Sequence, residues 1–453
     1  MITDLIRKYN VPGPRYTSYP TVPYWEDKGF SGDAWKNQVV QTFTASNSEG
    51  EISLYIHLPY CNTACHYCGC NMKYTQNHKV EVPYIETVLK EWQLYLNLLP
   101  SKPIISEIHL GGGTPTFFSP ENLKWMLSEI LETAEVSENH QFSFEASPHS
   151  TTREHLQTLF QLGFRRLSLG VQDFDPKVQE VINRVQSPEL VSGVVKMARE
   201  VGYTSINFDL IYGLPLQTAD SISRTFDEVR SMRPDRIAYY SYAHVPWIKG
   251  IMRRFTEEDL PKGEAKRELY ELGKATLEKD GYVEIGMDHF ALPEDELYTA
   301  VQNKSLHRNF MGYTTTSTKL MIGLGVSSIS DSWGAFAQNE KQIRDYQKRV
   351  EAGELPVFRG HMLDEEDLVI RQHILNLMCR FETTWLDESM QTESWYTGLE
   401  MLEEMQVDGL IEIEPYKLTV TEAGKPFIRN ICMAFDARLR RNQPQTRIFS
   451  STI

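Results

Sequence analysis

Short apolar runs alternate with helical patterns along most of this chain, beginning near residue 50. Between two of these runs, Ser119 is placed to cap a helix that Pro120 begins, and apolar residues follow at positions that share one helix face. Strands that alternate with helices form parallel sheets, so we predict an α/β fold in barrel or doubly wound form. The first run covers residues 52–57, and later runs begin near Ile105, Gln141, Arg165, Thr204, Asp235 and Tyr282.

Several of the predicted strands end in polar or glycine-rich residues. These are the glycine turn at residues 111–115, Glu145, the Gln172-Asp173 pair and Asp209. Parallel α/β folds carry their active sites at the carboxyl ends of the strands. We therefore expect these residues to converge at one end of the sheet.

The segment ahead of this core, about the first 30 residues, is predicted to be an extended arm. Residues 12–21 contain three prolines with tyrosines and threonines between them, and prolines exclude a regular helix. The aromatic side chains are expected to pack on another part of the chain. The arm is nevertheless expected to bury little core, so that deletion of residues 1–20 should reduce turnover more than stability.

The pattern changes beyond about residue 360. Helices are predicted at residues 365–381 and 395–405, and a small β unit at residues 410–420. This change predicts a separate C-terminal domain. The predicted division is residues 1–48 for the arm and lead-in, 49–340 for the α/β core and 355–453 for a mainly helical domain with a small β unit.

Charge and hydropathy narrow the range of partners. The chain has 453 residues, with 46 Lys and Arg against 61 Asp and Glu, a formal net charge of −15 that disfavours nucleic acid as a main partner. No apolar run reaches the ~18 residues that span a bilayer. The N-terminus contains Asp4 and lacks the apolar core of a secretory signal, so a cytoplasmic protein is expected.

Four of the six cysteines fall within ten residues, and a reducing compartment favours ligands or catalysts over disulfides. Cys61, Cys65 and Cys68 have the spacing C-x3-C-x2-C in a loop after the first predicted strand. Three thiolates would bind a [4Fe–4S] cube and leave one iron open. Cys70 is a candidate fourth ligand, although its one-residue spacing from Cys68 packs badly around a cube. A zinc site or thiols without a role remain the alternatives.

These cysteines, followed by the glycine turn, resemble the radical S-adenosylmethionine (SAM) superfamily. Within it, the chain resembles the oxygen-independent coproporphyrinogen III oxidases from about residue 9 to residue 440. The matching segments are residues 14–21, 68–71, 170–174, 209–215, 286–291, 307–310 and 429–433.

The resemblance implies an incomplete (β/α)6 radical-SAM barrel with an N-terminal extended arm and a smaller, mainly helical C-terminal domain. It implies the oxidative decarboxylation of two propionates of coproporphyrinogen III to vinyl groups, giving protoporphyrinogen IX in haem biosynthesis. The implied cofactors are a [4Fe–4S] cluster and two SAM molecules. The implied partners are the porphyrinogen and a reductant such as flavodoxin or ferredoxin, and a monomer is expected.

The resemblance also assigns roles to individual residues. It places the cluster on Cys61, Cys65 and Cys68, and catalytic roles on Tyr55, Cys70 and Glu145. The first SAM would contact Tyr55, Gly112, Glu145 and Ile329. The second would contact Tyr67, Gly113, Thr114, Gln172, Arg184, Asp209 and Ala243.

Further basic residues are candidates for the propionates or for supporting roles. Four arginines lie near the motifs, namely Arg15, Arg165, Arg166 and Arg308. Five histidines are expected to be core or supporting residues rather than ligands, namely His57, His109, His244, His289 and His307.

The chain departs from the family pattern at two positions and leaves other functions open. Ser147 stands where the family has an acidic residue, and Met311 stands where it usually has glutamine, which puts the contacts of the second SAM in question. The alternatives are the haem chaperones of the same family, a porphyrin-ring-opening methyltransferase of the superfamily and a non-enzymatic iron–sulfur protein.

Overall fold

The computed structural model describes residues 2–25, 30–46, 51–247, 249–444, 446 and 448–452, so the predicted domain ends at residues 1, 48, 49 and 453 lie outside the described residues. The helices are α1 Ile2–Tyr9, α2 Gly32–Ala45, α3 Glu81–Leu96, α4 Pro120–Glu132, α5 Arg153–Gln161, α6 Pro176–Val181, α7 Pro188–Val201, α8 Ala219–Met232, α9 Gly263–Lys279, α10 Glu296–Gln302, α11 Ile343–Glu351, α12 Glu365–Arg380, α13 Glu393–Glu400, α14 Glu403–Val407, α15 Ile428–Phe435 and α16 Ala437–Arg441.

The strands include a large central set and several short pairs. They are β1 Glu51–Leu58, β2 Tyr60–Cys61, β3 Lys73–Tyr74, β4 Ile104–Gly112, β5 Glu135–Ala146, β6 Phe164–Gln172, β7 Ser205–Tyr212, β8 Arg236–Ser241, β9 Val283–Gly286, β10 His289–Ala291, β11 His307–Asn309, β12 Gly312–Thr314, β13 Met321–Leu324, β14 Ile329–Asp331, β15 Ala335–Asn339, β16 Val357–Met362, β17 Glu382–Thr384, β18 Ile411–Glu414 and β19 Lys417–Val420.

One large sheet organises the α/β core. Its order is β16-β15-β14-β13-β1-β4-β5-β6-β7-β8-β10-β9, and the run from β13 to β8 is parallel. Strands β1, β4, β5, β6, β7 and β8 are each followed by a helix that packs on the sheet, and in the described residues the two edge strands do not pair with each other. The predicted incomplete (β/α)6 barrel is confirmed. The run near Tyr282 is not a further parallel strand, because β9 pairs antiparallel with β10 at the edge.

Local sequence signals explain how individual helices begin. The Ser119 hydroxyl accepts a hydrogen bond from the Asn122 backbone N–H at 3.2 Å, which satisfies one of the free amides at the start of α4. The apolar face of this helix is then buried against the sheet through Leu123, Met126, Leu127 and Ile130. The helix predicted from this capping residue and this apolar spacing is confirmed.

The N-terminal segment differs from the predicted arm in two ways. Residues 2–9 form helix α1, because the first proline comes only at residue 12. Ile6, Tyr16 and Tyr19 are buried in a hydrophobic cluster with the C-terminal helices, so the expectation that this segment buries little core was wrong.

The C-terminal part has its own hydrophobic cluster, formed by α12, α13, α15 and the strands around them. The predicted small β unit is present as the three-stranded sheet β17-β19-β18. Strand β16, at residues 357–362, pairs with β15 and extends the main sheet. In the described residues, no helix is both long and apolar enough to cross a membrane.

Candidate active site

Polar side chains line the interior of the barrel. Along the parallel strands alternate residues face inward and most of them are polar, while the residues between them, such as Phe144 and Phe208, are buried against the helices. The polar positions surround an inner cavity of about 230 Å³. Barrels of this kind are ordinarily filled by bulky apolar residues, so a polar interior indicates a ligand site. The strand residues concerned are Glu107, His109, Ser143, Glu145, Arg166, Ser168, Asn207, Asp209 and Arg236.

The four clustered cysteines lie in the loop that leaves the carboxyl end of β1. This loop is pinned by the short parallel pair of β2 and β3, in which Cys61 is opposite Tyr74. Cys61 and Cys65 are buried, Cys68 is half-buried and Cys70 is exposed, and all four thiols are free. The loop therefore presents its thiols at the carboxyl ends of the barrel strands, where the sequence predicted the active site.

Polar side chains contact two of these thiols. The Thr114 hydroxyl lies 3.4 Å from Cys61 Sγ, and Arg184 Nη1 donates to Cys65 Sγ at 3.5 Å. Interaction with the Cys70 side chain lowers the pKa of Cys68 to about 7, and Cys68 in turn raises the pKa of Cys70. Burial raises the pKa of the Cys61 thiol to about 11, while the Thr114 hydroxyl and the Arg184 cation act in the opposite direction and favour its thiolate.

The glycine turn packs directly against the cysteine loop. Gly112 has φ = +113°, and a Cβ atom there would lie 2.7 Å from the His57 ring. A Cβ atom on Gly113 would lie 2.6 Å from the backbone of Pro59. Both positions require glycine, because any side chain would displace the loop or the histidine.

Two hydrogen-bonded chains fix the side chains of Tyr55 and Glu145. His57 Nε2 lies 2.8 Å from the Asn71 carbonyl oxygen, so Nε2 carries the proton and Nδ1 accepts from the Tyr55 hydroxyl at 3.0 Å. Burial lowers the pKa of His57, which keeps the ring neutral. Glu145 accepts from the Gly112 N–H at 3.2 Å and lies 3.5 Å from His109 Nε2. Burial opposes ionisation of Glu145, but His109 and the Gly112 N–H hold its pKa below the ordinary value.

Asp209 is a further acidic group of the inner cavity, which Glu107 and Glu145 also line. Ser168 Oγ and Asn207 Nδ2 donate to it at 3.1 and 2.9 Å. Burial, followed by the charge of Glu145, raises its pKa to about 7. This carboxyl group can therefore bind a cation, or exist in its neutral form, near neutral pH.

The remaining predicted residues lie on the β6 to β8 side of the site. Arg184 Nε and Nη2 both donate to the Gly170 carbonyl oxygen, at 3.0 and 2.5 Å, beside Gln172. Tyr67 packs on an apolar cluster that includes Val178 and Ile182. Ala243 is half-buried in the loop after β8.

An outer cavity of about 590 Å³ lies at the mouth of the barrel. Tyr55, Cys70, Gly112, Glu145 and Ile329 all line it, so the structure brings together the residues predicted for catalysis and for the first SAM. Its outer walls carry Lys249 and Lys341, which the sequence did not single out. Lys249 Nζ donates to the Cys70 carbonyl oxygen at 3.0 Å, so this lysine contacts the cysteine loop.

Known proteins resemble this chain over nearly its whole length. The profile of the Radical SAM superfamily matches residues 55–229. Oxygen-independent coproporphyrinogen III oxidase of Helicobacter pylori (strain J99) is 40% identical, with 98% of each chain covered. The enzyme of that name from Escherichia coli K12 is 37% identical, with 96% of this chain and 95% of the other covered. The chain belongs to the oxygen-independent coproporphyrinogen III oxidase family.

A solved structure supports the same assignment. Coproporphyrinogen III oxidase (HemN) from Escherichia coli, described as a radical SAM enzyme, matches with a TM-score of 0.88 and 36% identity. The match covers 93% of this chain and 97% of the other. The predicted fold class and the predicted family are both confirmed.

A radical SAM enzyme of this family uses a [4Fe–4S] cluster and SAM. The residues present fit these groups, because three free thiols share one loop beside a glycine cradle and the outer cavity. In the described part of the chain, no three His, Cys, Asp or Glu side chains converge as ligands of a single metal ion. Thiolates of a cube each bind a different iron, so a cluster does not need such convergence.

The candidate arginines occupy different places. Arg166 lines the inner cavity, whereas Arg165 is exposed at the opposite end of β6, where it donates to the Phe160 and Phe164 carbonyl oxygens. Arg15 donates to Asp288 and to the Ser241 carbonyl oxygen. Arg308 is buried over the Tyr313 ring. Only Arg166 of these four lines either site cavity.

The two departures from the family pattern also differ in position. Met311 lines both the inner and the outer cavity, so this substitution lies within the site. Ser147 lines neither cavity, and its carbonyl oxygen accepts from the Thr151 side chain just after β5. The predicted supporting role of His57 and His109 agrees with their hydrogen bonds to Tyr55 and Glu145.

Proposed function

We propose that this protein converts two propionate side chains of coproporphyrinogen III to vinyl groups, giving protoporphyrinogen IX. Each propionate would lose one hydrogen atom, one CO2 and one electron, which leaves a carbon–carbon double bond. The observation that carries the proposal is the outer cavity, where the cysteine loop, Tyr55 and Glu145 face two lysines. The near full-length relatives of the same family support it.

The chain's own residues would hold the cofactors in defined places. Cys61, Cys65 and Cys68 would bind the [4Fe–4S] cluster, and Tyr55, Gly112, Glu145 and Ile329 would hold one SAM. When bound, these cofactors would supply the radical chemistry that takes a hydrogen atom from the substrate. We propose that Cys70 is catalytic together with Tyr55 and Glu145, because all three residues line the outer cavity. The neutral His57 fixes the Tyr55 hydroxyl in one orientation.

A second SAM molecule is part of the proposal. Tyr67, Gly113, Thr114, Gln172, Arg184, Asp209 and Ala243 would hold it. Asp209 supports this assignment because a carboxylate suits a cationic amine or sulfonium group. Arg184 supports it because a guanidinium group suits a carboxylate, although here it also donates to Gly170. Met311 would lie close to the second SAM, because it lines both the inner and the outer cavity.

The substrate carboxylates are proposed to bind at the mouth of the outer cavity. Glu145 is the only acidic residue among those that line this cavity in the described part of the chain, and it lies at the inner end. Lys249 and Lys341 are the cations there. On a protein of net charge −15, these lysines form a local cationic entrance for a substrate with four carboxylates.

We further propose the organisation and partners inferred from the sequence. We propose the division into residues 1–48, 49–340 and 355–453, and the separate hydrophobic cluster of the C-terminal helices supports its last part. The clusters do not follow its boundaries closely, because β16 extends the barrel sheet and Ile6, Tyr16 and Tyr19 lie in the C-terminal cluster. A monomer in the cytoplasm is proposed, with a one-electron reductant of the flavodoxin or ferredoxin kind.

An anaerobic assay tests the proposed reaction. Reconstituted protein receives coproporphyrinogen III, SAM and a strong reductant, and the products are analysed by mass spectrometry. We expect deoxyadenosine together with porphyrinogen that has lost two carboxyl groups. Cys61→Ser is the matched control and should give neither product while keeping the wild-type melting temperature. Haem binding without decarboxylation would instead support the chaperone alternative.

A further inference from the structure

A second groove lies beside the outer cavity, on the other side of Lys341. It has a volume of about 240 Å³ and is bordered by the cysteine loop and the start of α11. Its charged lining residues are Lys73, Lys341 and Arg344, and in the described part of the chain no acidic side chain lines it. We call Lys73, Tyr74, Lys341 and Arg344 the cationic patch.

The patch directly adjoins a proposed cluster ligand. Lys73 and Tyr74 form β3, which pairs with Tyr60 and Cys61 of β2. The Lys73 N–H donates to the Pro59 carbonyl oxygen at 2.7 Å, and the Thr75 N–H donates to the Cys61 carbonyl oxygen at 3.0 Å. Neighbouring strands lie about 4.8 Å apart, so the patch backbone is one strand away from Cys61.

The patch is exposed and its charges are not neutralised locally. Lys73 and Arg344 are exposed, and neither forms an ion pair within the described residues. The pKa of Lys341 is lowered by partial burial and then by the charges of Arg359 and Lys249, so cations are crowded at this edge. Tyr74 is 49% exposed and adds an aromatic contact of the kind that protein interfaces use.

The rest of the molecule makes this local charge significant. A protein of net charge −15 repels acidic proteins on average, so an acidic partner would be attracted only where cations dominate. A docked partner at this position would also be next to the cysteine loop. The position and the charge of the cationic patch therefore both indicate an acidic partner that acts on the cluster.

We propose that the cationic patch docks a small acidic protein that carries a single electron and delivers it at the cysteine loop. This inference rests on the proposed function, which requires one electron for each SAM cleaved. In the transfer, the carrier is oxidised by one electron and the cluster is reduced by one electron. Solvated surface lysines without a docking role would not favour an acidic electron carrier over a small-molecule reductant.

The test compares two reductants on the reconstituted holoenzyme. The variant Lys73→Glu/Arg344→Glu avoids residues that line the outer cavity. Lys102→Glu/Lys196→Glu is the matched control with the same change in charge. Lys102 is exposed just before β4, about 30 Å along that strand from the glycine turn, and Lys196 is exposed on α7. Cluster reduction is followed by stopped-flow absorbance, with flavodoxin hydroquinone or with reduced methyl viologen.

We expect flavodoxin to reduce the patch variant about tenfold more slowly than wild type at low salt, and the control variant at the wild-type rate. Added salt should slow the flavodoxin reaction of the wild type, because it screens the attraction. Methyl viologen should reduce all three proteins equally. Equal flavodoxin rates for the patch variant and wild type, or equal slowing with both reductants, would overturn the docking proposal. Turnover driven by methyl viologen reports on the proposed function separately.

Discussion

Arg184 Nη1 lies 3.5 Å from Cys65 Sγ, while Nε and Nη2 of the same guanidinium group donate to the Gly170 carbonyl oxygen. One side chain therefore ties the end of β6 to the cysteine loop. The neighbouring thiols and Tyr67 raise the pKa of Arg184 further despite its burial, so its charge is permanent.

We predict that Arg184→Met makes the midpoint potential of the reconstituted cluster more negative. Reduction adds a negative charge to the cluster, and the variant lacks the cation that stabilises it. The expected change is about 60 mV, which corresponds to a tenfold change in a one-electron equilibrium. A redox titration followed by electron paramagnetic resonance measures it. Arg184→Lys retains a cation and should shift less, and an unchanged potential in Arg184→Met would contradict the prediction.

The titration of Asp209 predicts how stability depends on pH. Burial and the charge of Glu145 raise the pKa of this carboxyl group to about 7, so the folded protein holds the proton more tightly than the unfolded chain. The resulting stabilisation is present at low pH and is lost as the pH rises through 7. Asp209→Asn removes this loss.

The measurement is urea denaturation of the cofactor-free protein at pH 5 and pH 8. Between these values, the free energy of unfolding of wild type should fall by roughly 1–2 kcal/mol more than that of Asp209→Asn. This is less than the full shift would give, because the carboxyl group faces a cavity that water can enter. Equal pH dependence in the two proteins would show that Asp209 ionises normally.

The N-terminal segment should contribute strongly to stability. Tyr16 is 4% exposed within the C-terminal cluster, and its hydroxyl donates to Asp436 at 3.1 Å. Tyr16→Ala should reduce the free energy of unfolding by about 3–5 kcal/mol, because it leaves a cavity. Tyr16→Phe retains the ring and should cost about 1 kcal/mol. Chemical denaturation compares them, and a Tyr16→Ala variant as stable as wild type would restore the original view of a loosely packed arm.

The sequence predicted the parts of the fold that depend on local pattern. The apolar periodicity around Leu123 and the cap at Ser119 defined α4, and the cysteine spacing predicted the loop beside the barrel mouth. Helix α1 was not predicted, because the prolines from residue 12 onward led us to predict an extended conformation for the whole segment.

The residues that were missed in the site fall into two groups. Ser168 and Asn207 hold Asp209, and their signal was available, since polar residues alternate along β6 and β7. Lys249 and Lys341 lie in loops far apart in sequence, and only tertiary packing brings them to the same cavity. A local pattern contains no signal for that convergence.

Lys249 provides a test of how the substrate carboxylates are recognised. Lys249→Gln should raise the KM for coproporphyrinogen III about tenfold, because one carboxylate loses its cation at the cavity mouth. The amide retains the hydrogen bond to the Cys70 carbonyl oxygen in part, so the loop should keep its position. SAM cleavage without substrate should therefore stay at the wild-type rate. Lys102→Gln, at the far end of β4, is the matched control and should leave KM unchanged. If Lys249→Gln lowers kcat at an unchanged KM, the lysine positions the cysteine loop instead of the substrate.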